Sequence, residues 1–135
     1  MQDFRFIETP SHGYLQVPKS FIKENIPEFV NQITPFSGQD IENVYLEEDQ
    51  DATTFLTLLE QKELEHNIVL TLLDDFKITH NYDPKTFDIQ FSVGETFYSG
   101  KKRYMVIKKE EVITVEAETG DQHILSIENP FKYLD

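Results

Sequence analysis

The segment "VYLEEDQDATTFLTLLEQ", residues 44–61, decides the fold because it joins a strand pattern to a helix pattern. Its first residues alternate apolar and polar side chains with the period of a half-buried strand. Its later apolar residues recur at the spacing of one face of an amphipathic helix. They are Ala52, Phe55, Leu58, Leu59 and, at the margin of that face, Leu56. We therefore predict one principal helix over residues 51–64, packed on a sheet.

The preceding residues predict strands and short helical turns. "FRFIET" and "GYLQV" alternate at period two and flank "TPSHG", whose proline and glycine favour a turn. We expect a hairpin there, at the amino-terminal edge of the sheet. "PKSFIKEN" and "PEFVNQI" each begin with a proline, which the first turn of a helix tolerates. These elements and the principal helix predict an α+β fold with a mainly antiparallel sheet.

The stretch after the principal helix, "NIVLTLLDDFKITHNY", is ambiguous. Residues 66–76 fit either a helix or a strand, because a short apolar run does not distinguish the two. Residues 77–82 favour a strand. The Asn, Asp and Pro of "HNYDPK" indicate a junction between two parts of the chain. We therefore predict an acidic α+β lobe over residues 1–82 and a small β-rich lobe over residues 83–135. The two lobes either share one core or fold separately.

The carboxy-terminal lobe has a plain strand pattern. β-branched and aromatic residues fill the intervals between Gly94, Gly100 and Gly120, which mark turns. We expect residues 103–108 to pair with residues 112–118 across "KKEE", and "TGD" to turn into "QHILSI". Closely spaced strands with tight turns predict a small, strongly bent sheet or a partial barrel.

Composition excludes several classes of protein. The 135 residues contain no Cys, so disulfide frameworks, thiolate nucleophiles and Cys-ligated metal sites are absent. The start, "MQDFRFIETP", has neither a basic region nor an apolar region typical of a signal peptide, and the longest apolar run, "IVLTLL", is too short to cross a bilayer. We expect a cytoplasmic protein that does not bind a membrane.

The net charge is −13, from 25 acids and 12 bases, and it is unevenly distributed. Residues 1–83 carry 16 acids and 5 bases, and no Lys or Arg occurs between Glu24 and Gln61. Such a field repels phosphate backbones and attracts basic partners, so direct nucleic-acid binding by the acidic lobe is not expected. Acidity that only confers solubility is the simpler interpretation.

Carboxylates are concentrated in "EEDQDA", between the predicted strand and helix. Asp49 or Asp51 is placed to cap the helix, and the other acids there complement its dipole. The same cluster also fits an anionic recognition surface, whereas the spacing and the central glycine of a helix-loop-helix Ca²⁺ site are missing. The candidate binding residues are Glu47, Glu48, Asp49, Asp51, Asp40, Glu42, His12 and Tyr14.

A catalytic role has little support from motifs. His12 lies beside a predicted turn glycine and near carboxylates, as a general base would, but no nucleophile elbow or metal-binding helix accompanies it. His66, His80 and His123 occur singly, without the spacing of a metal site. We predict a protein that is not an enzyme and has no metal or cofactor.

Two stretches resemble known groups of proteins. "TPSHGYLQVP", followed some thirty residues later by "VYLEEDQDATTFL", is similar to a pattern in short, largely uncharacterised proteins of phages, plasmids and other bacterial mobile elements. The stretch "SVGETFYSGKKRYMVIKKEEVITVEAETGDQHILSI" resembles SH3-like small barrels. The first resemblance implies an accessory protein of a mobile element.

Two functions are consistent with these features. The first is a non-enzymatic inhibitor of the anti-CRISPR or anti-restriction type, whose carboxylates occupy a basic, nucleic-acid-binding surface of a host defence protein in place of phosphates. The second is a protein–protein adaptor or regulatory module in which the β-rich lobe binds and the acidity only confers solubility. Acids gathered on one contiguous face would favour the first function, and dispersed acids the second.

Overall fold

The chain divides into two compact units, Met1–Pro84 and Lys85–Asp135. The structure is a computed structural model that describes residues 1–78, 80–99, 101–127 and 130–133. Within these ranges it contains two α-helices and two sheets, of five and four strands, and nearly all strand pairs are antiparallel. The predicted α+β class with mainly antiparallel sheets is confirmed.

The first unit is a five-stranded sheet with helices. Its strand order is β3-β4-β2-β1-β5. In chain order its elements are β1 (Gln2–Glu8), β2 (Gly13–Pro18), α1 (Lys19–Asn25), a 3₁₀ turn (Pro27–Asn31), β3 (Gly38–Gln39), β4 (Asn43–Glu47), α2 (Asp51–Gln61) and β5 (His66–Leu72).

The predicted hairpin is confirmed, but its predicted place at the edge of the sheet is wrong. β1 and β2 pair antiparallel, with Phe6 opposite Leu15. β5 then pairs with β1 in parallel over all seven residues, from Gln2 opposite His66 to Glu8 opposite Leu72. The apolar run after the principal helix therefore forms the edge strand, and the hairpin lies inside the sheet.

The core of the first unit is an aromatic cluster under α2. The Phe4 ring meets the rings of Phe55 and Phe21 edge-on, at centroid distances of 5.2 and 5.0 Å. The Phe29 ring lies 5.5 Å from that of Phe55. Such pairs contribute beyond the burial of their area, so α2 is held against the sheet mainly through Phe55.

The principal helix ends three residues earlier than predicted. Glu63 adopts a left-handed backbone, with a φ of 55°, which stops the helix after Gln61. The Leu64 N–H donates to the carbonyl of Leu59 and the Glu63 N–H to that of Glu60, which is the Schellman arrangement. Ala52, Phe55 and Leu59 are buried as predicted, whereas Leu56 and Leu58 are only half-buried.

The ambiguous residues 66–76 contain a strand, whereas the strand predicted at residues 77–82 is wrong for the residues described there; residue 79 lies outside the described residues. The strand is β5, because its apolar run pairs with β1. Residues 77–78 and 80–82 are irregular, and Asn81 forms a single bridge with Gly38. The Phe76 ring packs 5.7 Å from that of Tyr14 and 5.3 Å from that of Tyr45, so the chain crosses the sheet face there instead of pairing.

The second unit is an antiparallel sheet with the strand order β6-β7-β8-β9. The pairing of β7 with β8, and of β8 with β9, agrees with the predicted hairpins. Gly94 and Gly120 have positive φ angles of 90° and 91°, as turn glycines do, and Gly100 lies outside the described residues. The strands are β6 (Thr96–Ser99), β7 (Lys102–Lys109), β8 (Val112–Ala117) and β9 (Gln122–Ser126), and 3₁₀ turns occupy Pro84–Thr86 and Pro130–Tyr133.

The core of this sheet is aromatic and aliphatic. The Phe91 ring lies 5.1 Å from that of Phe97 and 5.3 Å from that of Phe131, and Val106 and Leu125 are fully buried. The described part of the unit pairs as an open sheet and contains no closed barrel. In the described ranges of the whole chain, no helix is both long and apolar enough to span a membrane.

We expect Phe55→Ala to lower the free energy of unfolding of the first unit by about 3 to 5 kcal/mol, because it empties a fully buried aromatic site. Leu58→Ala is the matched control on the same helix, and its half-buried side chain should cost about 1 kcal/mol. Urea denaturation followed by circular dichroism measures both. Equal losses for the two variants would contradict the packing described here.

Candidate functional site

The sheet of the first unit gathers carboxylates at one end. β1, β4 and β5 run in the same direction, and β2 runs opposite to them. Their carboxyl ends therefore meet at the start of β2. The acids there, which we call the acidic rim, are Glu8, Glu47, Glu48, Asp49, Asp74 and Asp75.

Backbone hydrogen bonds align the rim across four strands. The Glu48 N–H donates to the carbonyl of Gly13 at 3.1 Å, and Gly13 lies opposite Glu8 in the pairing of β2 with β1. Glu8 in turn accepts from the Leu73 N–H at 2.9 Å, one residue before Asp74. The order of acids along the rim is thus set by strand pairing.

Gly13 allows the Glu48 side chain to fold over the start of β2. A Cβ atom added to Gly13 would lie 2.5 Å from Glu48 Oε2 and 2.7 Å from the Phe6 ring. A side chain here would therefore displace the end of the Glu48 side chain and the Phe6 ring from their positions. The glycine of "SHGYL" therefore serves the close approach of Glu48.

Five of the six rim acids are exposed, and Glu47 is half-buried. Glu47 accepts hydrogen bonds from the N–H groups of Asp49 and Gln50, at 3.2 and 3.0 Å. It thereby fixes the turn that leads from β4 into α2. The exposed rim carboxylates are presented to solvent around this turn.

Asp51 is not part of the rim, because it is buried. It is 1% exposed, and its Oδ2 accepts hydrogen bonds from the N–H and hydroxyl of Thr34, at 3.0 and 2.7 Å, and from the Ser37 hydroxyl, at 2.5 Å. The Ser37 hydroxyl also accepts from the Glu47 N–H at 2.9 Å. Asp51 therefore anchors the turn at residues 34–37 to the end of β4.

The prediction that Asp49 or Asp51 caps α2 is wrong. The N-cap residue is Gln50, and its side chain makes no capping hydrogen bond. Asp51 follows it as the first helical residue and turns its carboxylate toward Thr34 and Ser37 instead. A buried carboxylate without partners would be costly, and these hydroxyls supply its partners from another part of the chain.

Asp40 and Glu42 lie at the start of β4, away from the rim. Asp40 Oδ1 accepts from the N–H groups of Glu42 and Asn43, at 3.0 and 2.7 Å, which is the arrangement of an Asx turn. Its Oδ2 accepts from the Tyr45 hydroxyl at 2.6 Å. Burial, and then this hydrogen bond, raise the pKa of Tyr45 above its usual range. Glu42 is exposed.

His12 and Tyr14 lie beside the rim. Tyr14 is opposite Glu47 in the pairing of β2 with β4, and burial, followed by the charge of Glu47, raises the pKa of Tyr14. The exposed His12 ring is 6.2 Å from the Tyr14 ring. The structure therefore brings together His12, Tyr14, Glu47, Glu48 and Asp49 of the predicted binding residues, and it separates Asp40, Glu42 and Asp51 from them.

Sequence reasoning missed Glu8, Asp74 and Asp75. They reach the rim only because β5 pairs in parallel with β1, and no local pattern specifies that pairing. The signal present was "LLDDF", in which two acids directly follow an apolar run of strand length. Within the described residues, no group of three or more His, Asp or Glu side chains is arranged to hold a metal ion.

The chain matches no known family model, and neither the curated proteins nor the solved structures include one that matches it.

We expect Asp51→Asn to lower the free energy of unfolding by about 2 to 3 kcal/mol, because it removes the charge that three hydrogen bonds from buried or half-buried donors stabilise. A helix cap would tolerate asparagine almost without loss. Asp49→Asn is the exposed control and should change stability by less than about 0.5 kcal/mol. Chemical denaturation of both variants tests the assignment, and similar small effects would contradict it.

A second prediction concerns Tyr45, whose pKa is raised in the folded state. Its hydrogen bond to Asp40 should contribute about 1 to 2 kcal/mol, which Tyr45→Phe removes. An unfolded tyrosine loses its proton near the ordinary pKa of 10.0, whereas folded Tyr45 keeps its proton. The contribution is therefore complete below about pH 10 and is lost as the pH rises further. Urea denaturation at about pH 8 and about pH 11 measures the free energy of unfolding of wild type and variant. The difference between the two proteins should be smaller at the higher pH, and an unchanged difference would contradict this prediction.

Proposed function

We propose that this chain is a non-enzymatic, cytoplasmic accessory protein of a mobile genetic element that binds a basic surface of a host defence protein and thereby blocks its nucleic-acid binding. The observation that carries the proposal is the acidic rim, which strand pairing assembles from three separate parts of the sequence. The biological setting is inferred from the sequence alone, from the resemblance of "TPSHGYLQVP" and "VYLEEDQDATTFL" to proteins of phages and plasmids.

The density of charge along the rim is comparable to that of a nucleic acid. The rim extends from β4 to β5, which is three strand spacings or about 14 Å. Six acids over that length give roughly one charge per 2 to 3 Å, and duplex DNA carries one per about 1.7 Å of its axis. A protein surface that attracts phosphates would therefore attract the rim.

Few cations offset this charge in the first unit, which contains 16 acids and 5 bases. Lys19 is buried, and Lys62 forms an ion pair with Glu28, with Nζ and Oε1 2.5 Å apart. The resulting field increases the rate of association with a basic partner and discourages acidic ones. Direct binding of nucleic acid by this unit is not part of the proposal.

The adaptor function has its own support. Exposed acids also lie outside the rim, at Asp3, Glu24, Glu42 and Glu60, as expected if acidity serves solubility. In this alternative the second unit, with its proposed SH3-like character, binds the partner. A shallow groove of about 270 Å³ on its sheet, lined by Arg103, Met105 and Glu116 among others, would be the contact.

We expect a variant with four rim acids changed to amides, Glu48→Gln, Asp49→Asn, Asp74→Asn and Asp75→Asn, to fold normally, because all four side chains are exposed. The amount of host protein captured should decrease at least about tenfold, because long-range attraction has been removed. Its capture should also depend less on salt concentration. Immobilised wild type and variant are incubated with bacterial lysate, eluted with a salt gradient, and compared by mass spectrometry.

The matched control carries the same change of charge away from the rim and from the acids that flank β5, as Asp3→Asn, Glu24→Gln, Glu42→Gln and Glu111→Gln. It should capture the host protein as wild type does. The captured protein is then purified, and its binding to DNA or RNA is measured with and without this chain. Unchanged capture by the rim variant would favour the adaptor function, and equal loss in both variants would show that overall charge, not the rim, captures the protein. Capture without inhibition of nucleic-acid binding would refute the proposed mechanism.

A further inference from the structure

The edge strand β5 is exposed and apolar. Ile68, Val69, Leu70 and Leu72 are 46%, 50%, 57% and 70% exposed. β5 pairs only with β1 among the described strands, so the backbone groups along its other side are without a strand partner. An edge of this kind is a template for the addition of another strand.

β5 lacks the features with which proteins usually protect sheet edges. Its sequence, "HNIVLTL", contains no charged residue and no proline, and its seven residues pair with β1 without a bulge. The other edge strands are shorter: β3 has two residues, β6 four and β9 five. β5 is therefore the longest edge without these features among the described strands.

Ile68 and Leu70 of β5 continue the core-facing side of the sheet. Ile68 lies beside Phe4 and Leu70 beside Phe6 in the parallel pairing, and Phe4 is buried under α2. A groove of about 640 Å³ adjoins the start of β5, and Leu56 and Leu64 line it. A strand added to β5 would extend the sheet and place its own apolar side chains beside Ile68 and Leu70.

Acids lie at both ends of this edge. Glu60, Glu63 and Glu65 precede β5, Asp74 and Asp75 follow it, and all five are exposed. An added segment is therefore favoured if it carries basic residues on both sides of an apolar stretch. The flanking acids thus specify the charge of the occupant, and the strand edge specifies its extended conformation.

The same acids disfavour a second copy of the chain as the occupant. In a closed dimer, β5 would pair antiparallel with its copy about a two-fold axis. Such a pairing would bring Glu63 and Glu65 of one copy toward Asp74 and Asp75 of the other, and the approach of like charges disfavours it. The charges thus favour a different, basic chain.

We propose that β5 binds an extended segment of a basic protein by strand addition, with apolar residues at alternate positions and Lys or Arg at both ends. Backbone hydrogen bonds would supply affinity, and the apolar positions and the flanking charges would supply specificity. The inference rests on the proposed function in one respect: that function makes the captured host protein the source of the segment. The binding chemistry of the edge does not depend on it.

The test uses the full chain and a fluorescein-labelled synthetic peptide that alternates valine and threonine over seven positions, the length of β5, with two lysines at each end. Fluorescence anisotropy measures its Kd. The same peptide with glutamates at its ends should bind at least about tenfold more weakly, because the acids flanking β5 repel it. Equal binding of the two peptides would overturn the charge requirement.

The decisive variant is Leu70→Glu, which adds a negative charge to the edge. Purely electrostatic adhesion of the lysine peptide would be unchanged or stronger, whereas strand addition should be weakened at least about tenfold, because a charge replaces an apolar contact. Ile124→Glu is the matched control, since Ile124 is a 68% exposed residue of the edge strand β9. It should leave the Kd within about twofold.

A second variant keeps the test valid if Leu70→Glu folds poorly. Val69→Glu changes the opposite face of the same strand, and it should also weaken peptide binding while circular dichroism stays that of wild type. Unchanged Kd values in folded Leu70→Glu and Val69→Glu would overturn the proposal. A wild-type dimer in analytical ultracentrifugation that Leu70→Glu dissociates would also overturn it, in favour of a second copy at this edge.

The two proposals fail separately. Peptide binding that Leu70→Glu abolishes, together with no capture of a host protein by wild type, would support the edge and refute the proposed function. Capture that depends on the rim acids but is unaffected by Leu70→Glu, together with no peptide binding, would support the proposed function and overturn the role of β5.

Discussion

The parallel pairing of β1 with β5 is the constraint on which the rest of the first unit depends. It places the first strand of the chain inside the sheet and makes a strand from the middle of the chain the edge. It also brings the carboxyl end of β5 to the end of the sheet where antiparallel pairing with β2 already places those of β1 and β4. The complete acidic rim and the apolar edge both depend on this pairing.

The acids near the β4–α2 turn divide into two roles according to their partners. Asp51 and Glu47 accept hydrogen bonds that fix the ends of β4 and the start of α2, so their charge serves the fold. Glu48 and Asp49 remain exposed and contribute to the field of the surface. A charged cluster in the sequence is therefore only partly a surface in the structure, and the buried part positions the exposed part.

Local elements were predictable from the sequence because apolar periodicity is a local property. The hairpin of β1 and β2, the helix containing Phe55, and the strands of the second unit follow from it. The place of β5 was not predictable, because periodicity does not specify which strand pairs with which. The role of Asp51 was missed for a related reason, since its partners Thr34 and Ser37 approach it only in the folded chain.

The long separation along the chain between β1 and β5 has a kinetic consequence. Gln2 cannot pair with His66 until the three strands and two α-helices between β1 and β5 have been synthesised, and closing such a long loop slows folding. In the second unit, each strand pairs with its neighbour in sequence, so its sheet can form as soon as it leaves the ribosome. During synthesis, one side of the amino-terminal strand therefore stays unpaired until β5 has been made.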